Sequence, residues 1–245
     1  MTTITHEMRR VLFCHAHPDD ETIATGALIA HLADAGKQVQ LVTATRGEMG
    51  EVVPAVADRV AGKDLEEHRM GELAGALAVL GVERHAFLGT APARAAGLPE
   101  RRYRDSGMEW IRPGLAGPAD TTDARAFSVA PLEQEVADLL ALLDTWQPEV
   151  LVSYDAEGGY GHPDHVRMHQ VARAAAQARG LPFVEVRHHR GPGVEWFEYP
   201  ELLDRVATAL RHHASQLTVL DDGATLQHVG GQTEPIAVGF GLAAG

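Results

Sequence analysis

Residues 11–32 read VLFCHAHPDDETIATGALIAHL, in which an apolar run is followed by a polar turn and then by an amphipathic run. The apolar run predicts a buried parallel strand over residues 9–15. The amphipathic run predicts a helix over residues 20–35, which Gly36 ends in the left-handed conformation that glycine tolerates. The polar residues 16–21 therefore lie where a strand leads into a helix, and open α/β sheets bind their ligands at such positions.

The same alternation of strand and helix continues along the chain. Apolar, β-branched runs predict further strands, and apolar residues at helical spacing predict further helices. The predicted strands cover residues 39–44, 83–88, 149–154 and 182–187, and the predicted helices cover residues 64–80, 131–146, 164–178 and 199–213. Strands and helices in alternation form a mainly parallel sheet covered by helices on both faces. We therefore expect an α/β fold, a Rossmann-like three-layer sandwich with a mainly parallel sheet, formed by a single domain over residues 1–245.

Two segments lack a clear helical or strand pattern. Residues 89–126 are rich in Ala, Gly, Pro and Arg and exceed an ordinary connection in length, so we expect a functional lid or binding loop there. A disordered surface insertion is the alternative. The tail from residue 216 onward contains turn-like glycines and one short apolar stretch, and the sequence assigns it no element.

The composition limits the classes of partner. The chain has 245 residues with 21 Lys plus Arg against 34 Asp plus Glu, a formal net charge of −13. No global basic field would attract nucleic acid or an anionic membrane, so we expect a small neutral or cationic substrate. The single cysteine, Cys14, cannot form an intrachain disulfide, and residues 1–7 lack the apolar stretch of a secretory signal, so we expect a cytoplasmic protein. The sequence does not predict the oligomeric state.

A second polar motif, GGYGHPDH at residues 158–165, follows the fourth predicted strand. In a doubly wound sheet, the loops after the first and fourth strands meet where the strand order reverses, so this motif is expected to face residues 16–21. His17, Asp20 and His165 then form a set of two histidines and one carboxylate. Catalytic zinc commonly takes three such ligands and keeps a fourth position for water. The sequence therefore predicts a metal site formed by these three residues.

The neighbouring residues of the two motifs receive catalytic roles. Asp19 faces a different direction from Asp20 at the helix start, and we assign it as the general base that acts on the metal-activated water. We expect His162, one turn before His165, to donate a hydrogen bond to the developing oxyanion or leaving group, and Tyr160 to add a phenolic hydrogen bond. Taken alone, the first motif is also typical of a strand-to-helix turn with a capping aspartate. No G-x-G-x-x-G motif follows the first strand, which argues against a dinucleotide-dependent enzyme.

The two motifs together resemble the LmbE-like/PIG-L family of metal-dependent N-deacetylases. The resemblance extends through four further segments, which are TRGE at 45–48, EHR at 67–69, RYRDSGM at 102–108 and RHHASQ at 211–216. Within the family, these segments look most like the actinobacterial mycothiol-pathway members. The resemblance implies a hydrolase, with Zn²⁺ as its cofactor, that removes the N-acetyl group from a glucosamine-containing small molecule of the N-acetylglucosaminyl-inositol type.

By matching position, the resemblance implies the same ligands, base and transition-state partners as the spacing does, and it adds Arg69, Asp105 and Glu48 as substrate-binding residues. A solvated helix face is the alternative for Arg69, and a loop-capping residue is the alternative for Asp105. A donor set of this type also accepts Fe²⁺. Two functional alternatives stay within the family, namely an amidase of mycothiol conjugates and a deacetylase of another amino sugar. The alternative from a different class is a non-catalytic sugar- or metal-binding protein.

Overall fold

The computed structural model of the protein describes residues 7–119, 123 and 125–245. The strands are β1 (Arg10–His15), β2 (Gln38–Thr43), β3 (Arg84–Phe87), β4 (Met108–Arg112), β5 (Leu115–Pro118), β6 (Val150–Tyr154), β7 (Phe183–Arg187), β8 (Glu195–Glu198), β9 (Leu217–Val219), β10 (Thr225–His228), β11 (Thr233–Pro235) and β12 (Gly239–Ala244). The helices are α1 (Asp20–Asp34), α2 (Ala57–Val60), α3 (Leu65–Leu80), α4 (Leu132–Trp146), α5 (Pro163–Arg179) and α6 (Leu203–Leu210). Short 3-10 turns occupy Pro54–Val56, Phe127–Val129 and Pro200–Leu202.

The central sheet has the strand order β3-β2-β1-β6-β7-β12-β8. The first five of these strands pair in parallel, whereas β12 is antiparallel to both of its neighbours. The order reverses between β1 and β6, and the pairing of Phe13 with Val152 aligns their carboxyl ends. The predicted α/β fold with a mainly parallel sheet is confirmed, and the loops after β1 and β6 leave the sheet side by side.

Helices cover both faces of the sheet, as the alternation of residues in β1 shows. Val11 and Phe13 pack into the apolar cluster under α1, α3 and α6, whereas Leu12 and Cys14 pack into the cluster under α4 and α5. Successive side chains of a strand point to opposite faces, so one buried strand contributes to both layers. Burying one such large apolar side chain contributes about 1.5–3 kcal/mol, which makes β1 a rigid base for the turn that follows it.

The helix predicted at residues 199–213 is shorter in the structure, because α6 ends at Leu210. The chain leaves the helical path there and turns the His213 side chain into the protein interior. The ring of His213 lies 3.1 Å from the Glu21 carboxylate, and both residues are fully buried. The three residues after the helix thus carry His213 to a partner that is distant in the sequence.

The tail that the sequence left unassigned forms two structures. β9, β10 and β11 make a small antiparallel sheet, and β12 enters the central sheet between β7 and β8. β12 reads GFGLAA, which contains few of the β-branched and aromatic residues that favour strands. The sheet neighbours on both sides fix its conformation instead.

The long segment at residues 89–126 is ordered over its described part. It contains the antiparallel hairpin β4–β5, and Tyr103 before the hairpin is buried with its hydroxyl donating to Asp138 on α4 at 2.8 Å. The segment therefore carries a β-hairpin that the sequence pattern did not indicate.

Residues 120–122 and 124 of this segment lie outside the described residues. So do residues 1–6, on which the expected absence of a secretory signal mostly depends. Among the helices that the structure describes, none combines the length and apolar character needed to cross a membrane.

Candidate metal and catalytic site

The turn between β1 and α1 has an unusual backbone at Asp19. Its φ of 111° is positive, a region that residues other than glycine rarely adopt and that costs on the order of 1–3 kcal/mol. Two neighbours hold it there. The Asp19 amide donates to Glu21 Oε2 at 3.0 Å, and the Arg69 guanidinium donates to the Pro18 carbonyl and, at 3.1 Å, to Asp19 Oδ2. In this conformation, the Asp19 and Asp20 carboxylates point in different directions.

Asp20 lies between the two histidines predicted to share a metal with it. Its Oδ2 is 3.2 Å from His17 Nδ1, and its Oδ1 is 3.2 Å from His165 Nε2. The Tyr154 hydroxyl at the end of β6 donates to Asp20 Oδ2 at 2.7 Å and fixes the carboxylate. The structure thus brings together the three predicted ligands, from the turn after β1 and from the start of α5.

His165 has the hydrogen bonding of a metal ligand. Its Nδ1 lies 3.2 Å from the Gly158 carbonyl and must donate to it, so the neutral ring keeps a lone pair on Nε2. That Nε2 is buried and has no hydrogen-bond partner among the described residues, although Asp20 is close. Ligating histidines usually donate their other ring nitrogen to a carbonyl or carboxylate in this way. The hydrogen bonding of His165 therefore fits a metal ligand that binds through Nε2.

His17 shows the same arrangement with a carboxylate. Its Nε2 lies 3.1 Å from Asp164 Oδ2 and 3.6 Å from Asp105 Oδ1, while Nδ1 faces Asp20. Asp164 is held in turn by the amide of Ser106 at 2.9 Å and by its hydroxyl. Burial lowers the pKa of His17, but Asp105 and the hydrogen bonds to Asp164 and Asp20 raise it well above its ordinary value. The surrounding carboxylates therefore stabilise positive charge at the His17 ring.

Two overlapping groups of donor atoms satisfy metal-site distances. The ligand atoms of His17, His162 and His165 lie within 4.8 Å of one another, and those of His17, Asp105 and Asp164 do so as well. Asp20 contacts His17 and His165 but belongs to neither group as the side chains stand. The predicted ligand set of His17, Asp20 and His165 therefore remains a prediction, and His162 replaces Asp20 in the first group.

The carboxylate of Asp19 has the environment of a general base. Burial raises its pKa to about 6, although Arg69 lowers it, and Asp20 adds to the increase. A base that titrates close to the working pH is best suited to take up and release a proton. Its contact with Arg69 also fixes the orientation of the carboxylate.

His162 and Tyr160 lie beside the metal cluster. His162 Nδ1 accepts the Asp164 amide at 3.1 Å, so its Nε2 carries the proton in the neutral ring. Burial, together with His17 and His165, lowers the pKa of His162 to about 2, which keeps the ring neutral. The Tyr160 ring lies 5.2 Å from that of His165. Although 38% of Tyr160 is exposed, partial desolvation of its hydroxyl and then the nearby carboxylates raise its pKa well above its usual range. Both side chains are therefore neutral hydrogen-bond donors.

The three predicted substrate residues occupy the edge of this cluster. Arg69 is buried rather than on a solvated helix face. Its guanidinium joins the turn after β1 to the loop after β2, because it donates to Asp19 Oδ2 and to the Gly47 carbonyl. Asp105 accepts the amide of Gly107 at 2.9 Å, so it does cap a loop, and it also approaches His17. Glu48 Oε1 accepts the Asp105 amide at 3.1 Å, whereas its buried Oε2 has no partner within the described part of the chain. Contact of these residues with substrate stays a prediction.

Sequence reasoning missed several supporting residues. Tyr154, Asp164 and Ser106 orient the predicted ligands, and the buried Glu21–His213 pair holds the Asp19 amide. Asp164 and Ser106 lie inside the quoted motifs, so the signal was present without an assigned role. His213 lies in the RHHASQ segment, but only the fold brings it to Glu21.

Comparisons with known proteins show what the whole chain is similar to. The chain is 48% identical over 173 residues to a protein of Kineococcus radiotolerans named 1D-myo-inositol 2-acetamido-2-deoxy-alpha-D-glucopyranoside deacetylase. The match covers 70% of this chain and 46% of the relative, so it spans about half the length of that protein.

Two solved structures share the fold. The N,N'-diacetylchitobiose deacetylase from Pyrococcus horikoshii, in complex with its inhibitor, gives a TM-score of 0.62 at 21% identity, covering 90% of this chain and 74% of that one. A zinc-inhibited form of teicoplanin deacetylase gives a TM-score of 0.58 at 19% identity, covering 96% and 98%. Residues 12–176 match the family model described as PIG-L, GlcNAc-PI de-N-acetylase. Since that match includes both the turn after β1 and the start of α5, the chain belongs to the PIG-L family.

Proposed function

We propose that this protein is a metal-dependent N-deacetylase that hydrolyses the acetamide of a glucosamine-containing small molecule of the N-acetylglucosaminyl-inositol type. The observation that carries the proposal is the convergence of His17, Asp19, Asp20 and His165 at the carboxyl ends of β1 and β6. The name of the Kineococcus relative supports the same substrate class. The site combines a fitting donor set, a separate carboxylate base and neutral donors, which is what amide hydrolysis by a metal-activated water requires.

His17, Asp20 and His165 would hold the metal. A bound Zn²⁺ supplies a Lewis acid and lowers the pKa of a coordinated water toward about 7. Two histidines and a carboxylate also accept Fe²⁺, so we propose Zn²⁺ with Fe²⁺ as the alternative. The zinc-inhibited teicoplanin deacetylase supports zinc as an ion that proteins of this fold can bind.

The remaining residues handle protons and charge. Asp19 accepts the proton of the attacking water and later returns it to the leaving amine, and its contact with Arg69 keeps it aimed at the reaction. His162 donates from Nε2 to the acetamide oxygen as negative charge develops there, and Tyr160 adds a second donor. The products are acetate and a free amine.

Polar atoms at the edge of the cluster are suited to sugar hydroxyls. Glu48 Oε2 is a buried acceptor without a partner among the described residues, and Asp105 lies between Glu48 and His17. A buried acceptor left unpaired is costly, so a donor from a ligand stabilises it. We therefore propose that Glu48 and Asp105 accept hydroxyls of the sugar or its inositol.

The test is hydrolysis by protein loaded with Zn²⁺ or, without oxygen, with Fe²⁺. N-acetylglucosaminyl-inositol, N-acetylglucosamine, diacetylchitobiose and a mycothiol conjugate are supplied separately, and the free amine is measured. We expect the inositol substrate to give the largest kcat/KM. Faster cleavage of the conjugate would instead identify an amidase. Absence of cleavage with every substrate and both metals would show that the protein is not a deacetylase, and calorimetry with the same ligands would then test for a non-catalytic binding protein.

A further inference from the structure

Asp19 lies at the N-cap position of α1 but does not cap the helix with its side chain. An aspartate at this position usually accepts a hydrogen bond from an amide in the first turn of the helix. Asp19 instead has a φ of 111°, and its carboxylate accepts a hydrogen bond from Arg69. The positive φ and the missing cap both cost free energy, so contacts from elsewhere in the chain must hold this conformation.

Glu21 makes the contact with the backbone of Asp19. Its Oε2 accepts the Asp19 amide at 3.0 Å, and Glu21 is fully buried. Its Oε1 lies 3.1 Å from His213 Nε2, and because a carboxylate only accepts hydrogen bonds, His213 is the donor. The orientation of the carboxylate that holds the Asp19 amide therefore depends on His213.

His213 is held in turn by the segment that follows α6. Its amide donates to the Leu210 carbonyl at 2.9 Å. Two residues further on, Ser215 donates to Glu72 on α3, from its amide at 2.8 Å and from its hydroxyl at 2.6 Å. Ser215 is fully buried and Glu72 nearly so, which shields these hydrogen bonds from water. The segment is therefore fixed against α3.

Helix α3 also supports Asp19 from the other side. Arg69 and Glu72 are three residues apart, so their side chains leave the same face of α3. Arg69 donates to Asp19 Oδ2 at 3.1 Å and to the Pro18 carbonyl. A Cβ added at Gly47 would collide with the Arg69 guanidinium, so this side chain packs directly against backbone. The contacts form a closed set, the Asp19 support network, whose members are Asp19, Glu21, His213, Ser215, Glu72 and Arg69.

We propose that His213 is a positioning residue, which acts through Glu21 to keep Asp19 in the strained conformation that the reaction needs. The inference rests on the proposed function for the role of Asp19 as the base. A displacement of about 1 Å in a reacting group can reduce the rate by about 10²-fold, so a residue that never contacts the substrate can control kcat. The RHHASQ segment, which the proposed chemistry does not use, thereby receives a role.

Three variants of the metal-loaded protein separate positioning from structural support. His213→Leu removes the donor and keeps an apolar side chain, whereas His213→Gln keeps an N–H donor near the position of Nε2. The double variant Glu21→Met with His213→Leu replaces the buried pair by apolar side chains, which avoids leaving one partner buried alone. The matched control is His212→Leu, because His212 is the exposed neighbour in the same segment.

We expect the kcat of His213→Leu, expressed per bound metal, to fall by about 10–100-fold with little change in KM. His213→Gln should recover most of this loss. The double variant should recover most of the unfolding temperature that His213→Leu loses but should keep its low kcat. A purely structural pair would instead recover kcat together with the unfolding temperature. His212→Leu should change neither quantity.

A crystal structure of the double variant tests the proposal without any activity. We expect a negative φ at Asp19 and a carboxylate that caps α1. A φ that stays positive, or a kcat that recovers in the double variant, would overturn the role of His213. If the parent protein hydrolyses no substrate, the proposed function fails, and the φ of Asp19 still decides whether the pair holds the turn.

A second comparison applies if a leucine variant does not fold. His213→Asn is polar like His213→Gln, but its shorter side chain does not place a donor at the position of Nε2. We expect its kcat to lie well below that of His213→Gln, at a similar unfolding temperature. Equal kcat values for the two variants would overturn the proposal.

Discussion

Two regions of the molecule meet at the candidate site and are built differently. The floor of the site consists of the loops after β1 and β6 together with the start of α5. His17, Asp164 and His165 are buried there and connected by hydrogen bonds to backbone and side chains. The rim consists of the described part of the 89–126 segment. Three of its arginines, Arg102, Arg104 and Arg125, reach solvent and make ion pairs of 3.0–3.6 Å with other side chains.

The difference shows where chemistry and selectivity can change independently. Catalytic groups must be held within about 0.5 Å of their working positions, which requires buried and mutually supported side chains such as those of the floor. Exposed ion pairs contribute about 0–1 kcal/mol each, so these exposed arginines of the rim can be exchanged without unfolding the protein. We therefore expect substitutions in the floor to abolish catalysis or folding, and substitutions in the rim to alter substrate binding.

Removing the proposed base should have the largest effect on activity. Asp19→Asn keeps the size of the side chain but cannot accept the proton, so we expect kcat to fall by about 10²–10⁴-fold with little change in KM. The measurement is steady-state deacetylation, with Asp58→Asn, an exposed aspartate, as the control. A kcat for Asp19→Asn equal to that of the control would exclude Asp19 as the base.

Two His–Glu contacts, one buried and one exposed, allow a direct comparison of their contributions to stability. Glu21→Ala leaves His213 buried without its partner, and we expect the free energy of unfolding to fall by about 3–5 kcal/mol. His228 and Glu234 form a similar contact at 2.9 Å on the surface, where Glu234→Ala should cost less than about 1 kcal/mol. Urea unfolding of both variants provides the test. Equal losses would show that the buried pair does not stabilise the turn as argued.

The carboxylate that orients His17 should control metal affinity. Asp164→Asn weakens the acceptor for His17 Nε2, and we expect the affinity for Zn²⁺ to fall by about 10–100-fold. Competition with a chromophoric chelator measures it, and Asp144→Asn on α4 is the control. An unchanged affinity would mean that His17 is not oriented for the metal by Asp164.

The free energy of unfolding should depend on pH through Glu135 on α4. Burial raises the pKa of Glu135 to about 8, although Arg167 opposes the increase, and neither carboxylate oxygen has a hydrogen-bond partner in the described structure. Since the folded pKa lies above the ordinary value of 4.5, this contribution to stability is complete below pH 4.5 and is lost as pH rises toward about 8.

We therefore expect the protein to lose about 1–3 kcal/mol of unfolding free energy between about pH 5 and about pH 9 relative to Glu135→Gln, which stays neutral. Chemical unfolding across this range is the measurement, and the exposed Glu133→Gln is the control. Parallel pH profiles for the protein and Glu135→Gln would contradict the prediction.

The smallest effect is expected at the tip of the rim. Trp110 on β4 is 53% exposed, and its ring lies 5.7 Å from that of Tyr160. An aromatic face at the edge of the site can stack on a sugar ring, so Trp110→Ala should raise KM by about threefold to tenfold without changing kcat. Ile111→Ala removes an exposed apolar side chain from the same strand and serves as the control. A loss of kcat with constant KM would instead show that Trp110 contributes to catalysis rather than to substrate binding.

The sequence predicted the floor better than the rim because its signals are local. The sequence predicts β1 and α1 to within one residue of their bounds in the structure, since an apolar run, a polar turn and a glycine stop lie within one short stretch. The sequence also predicts that the two polar motifs follow neighbouring strands of the sheet, because the alternation of strands and helices limits the possible strand orders. The convergence of His17, Asp20 and His165 could therefore be expected before any coordinates.

The remaining features depend on contacts between distant residues. The Glu21–His213 pair joins positions 192 residues apart, and no spacing rule indicates it. The β4–β5 hairpin contains a register shift near Trp110, which disturbs the alternation that reveals strands in a sequence.

The position of β12 has a consequence for how the protein reaches its folded state. β12 lies between β7 and β8, so β8 has no partner in the central sheet until residues 239–244 have been synthesised. The parallel half of the sheet can assemble from earlier strands, whereas this edge must wait for a late segment to insert between two others. Pairing over long sequence separations is slow. During synthesis, we therefore expect the facing edges of β7 and β8 to stay open to other extended chains until this last strand of the sheet has been made.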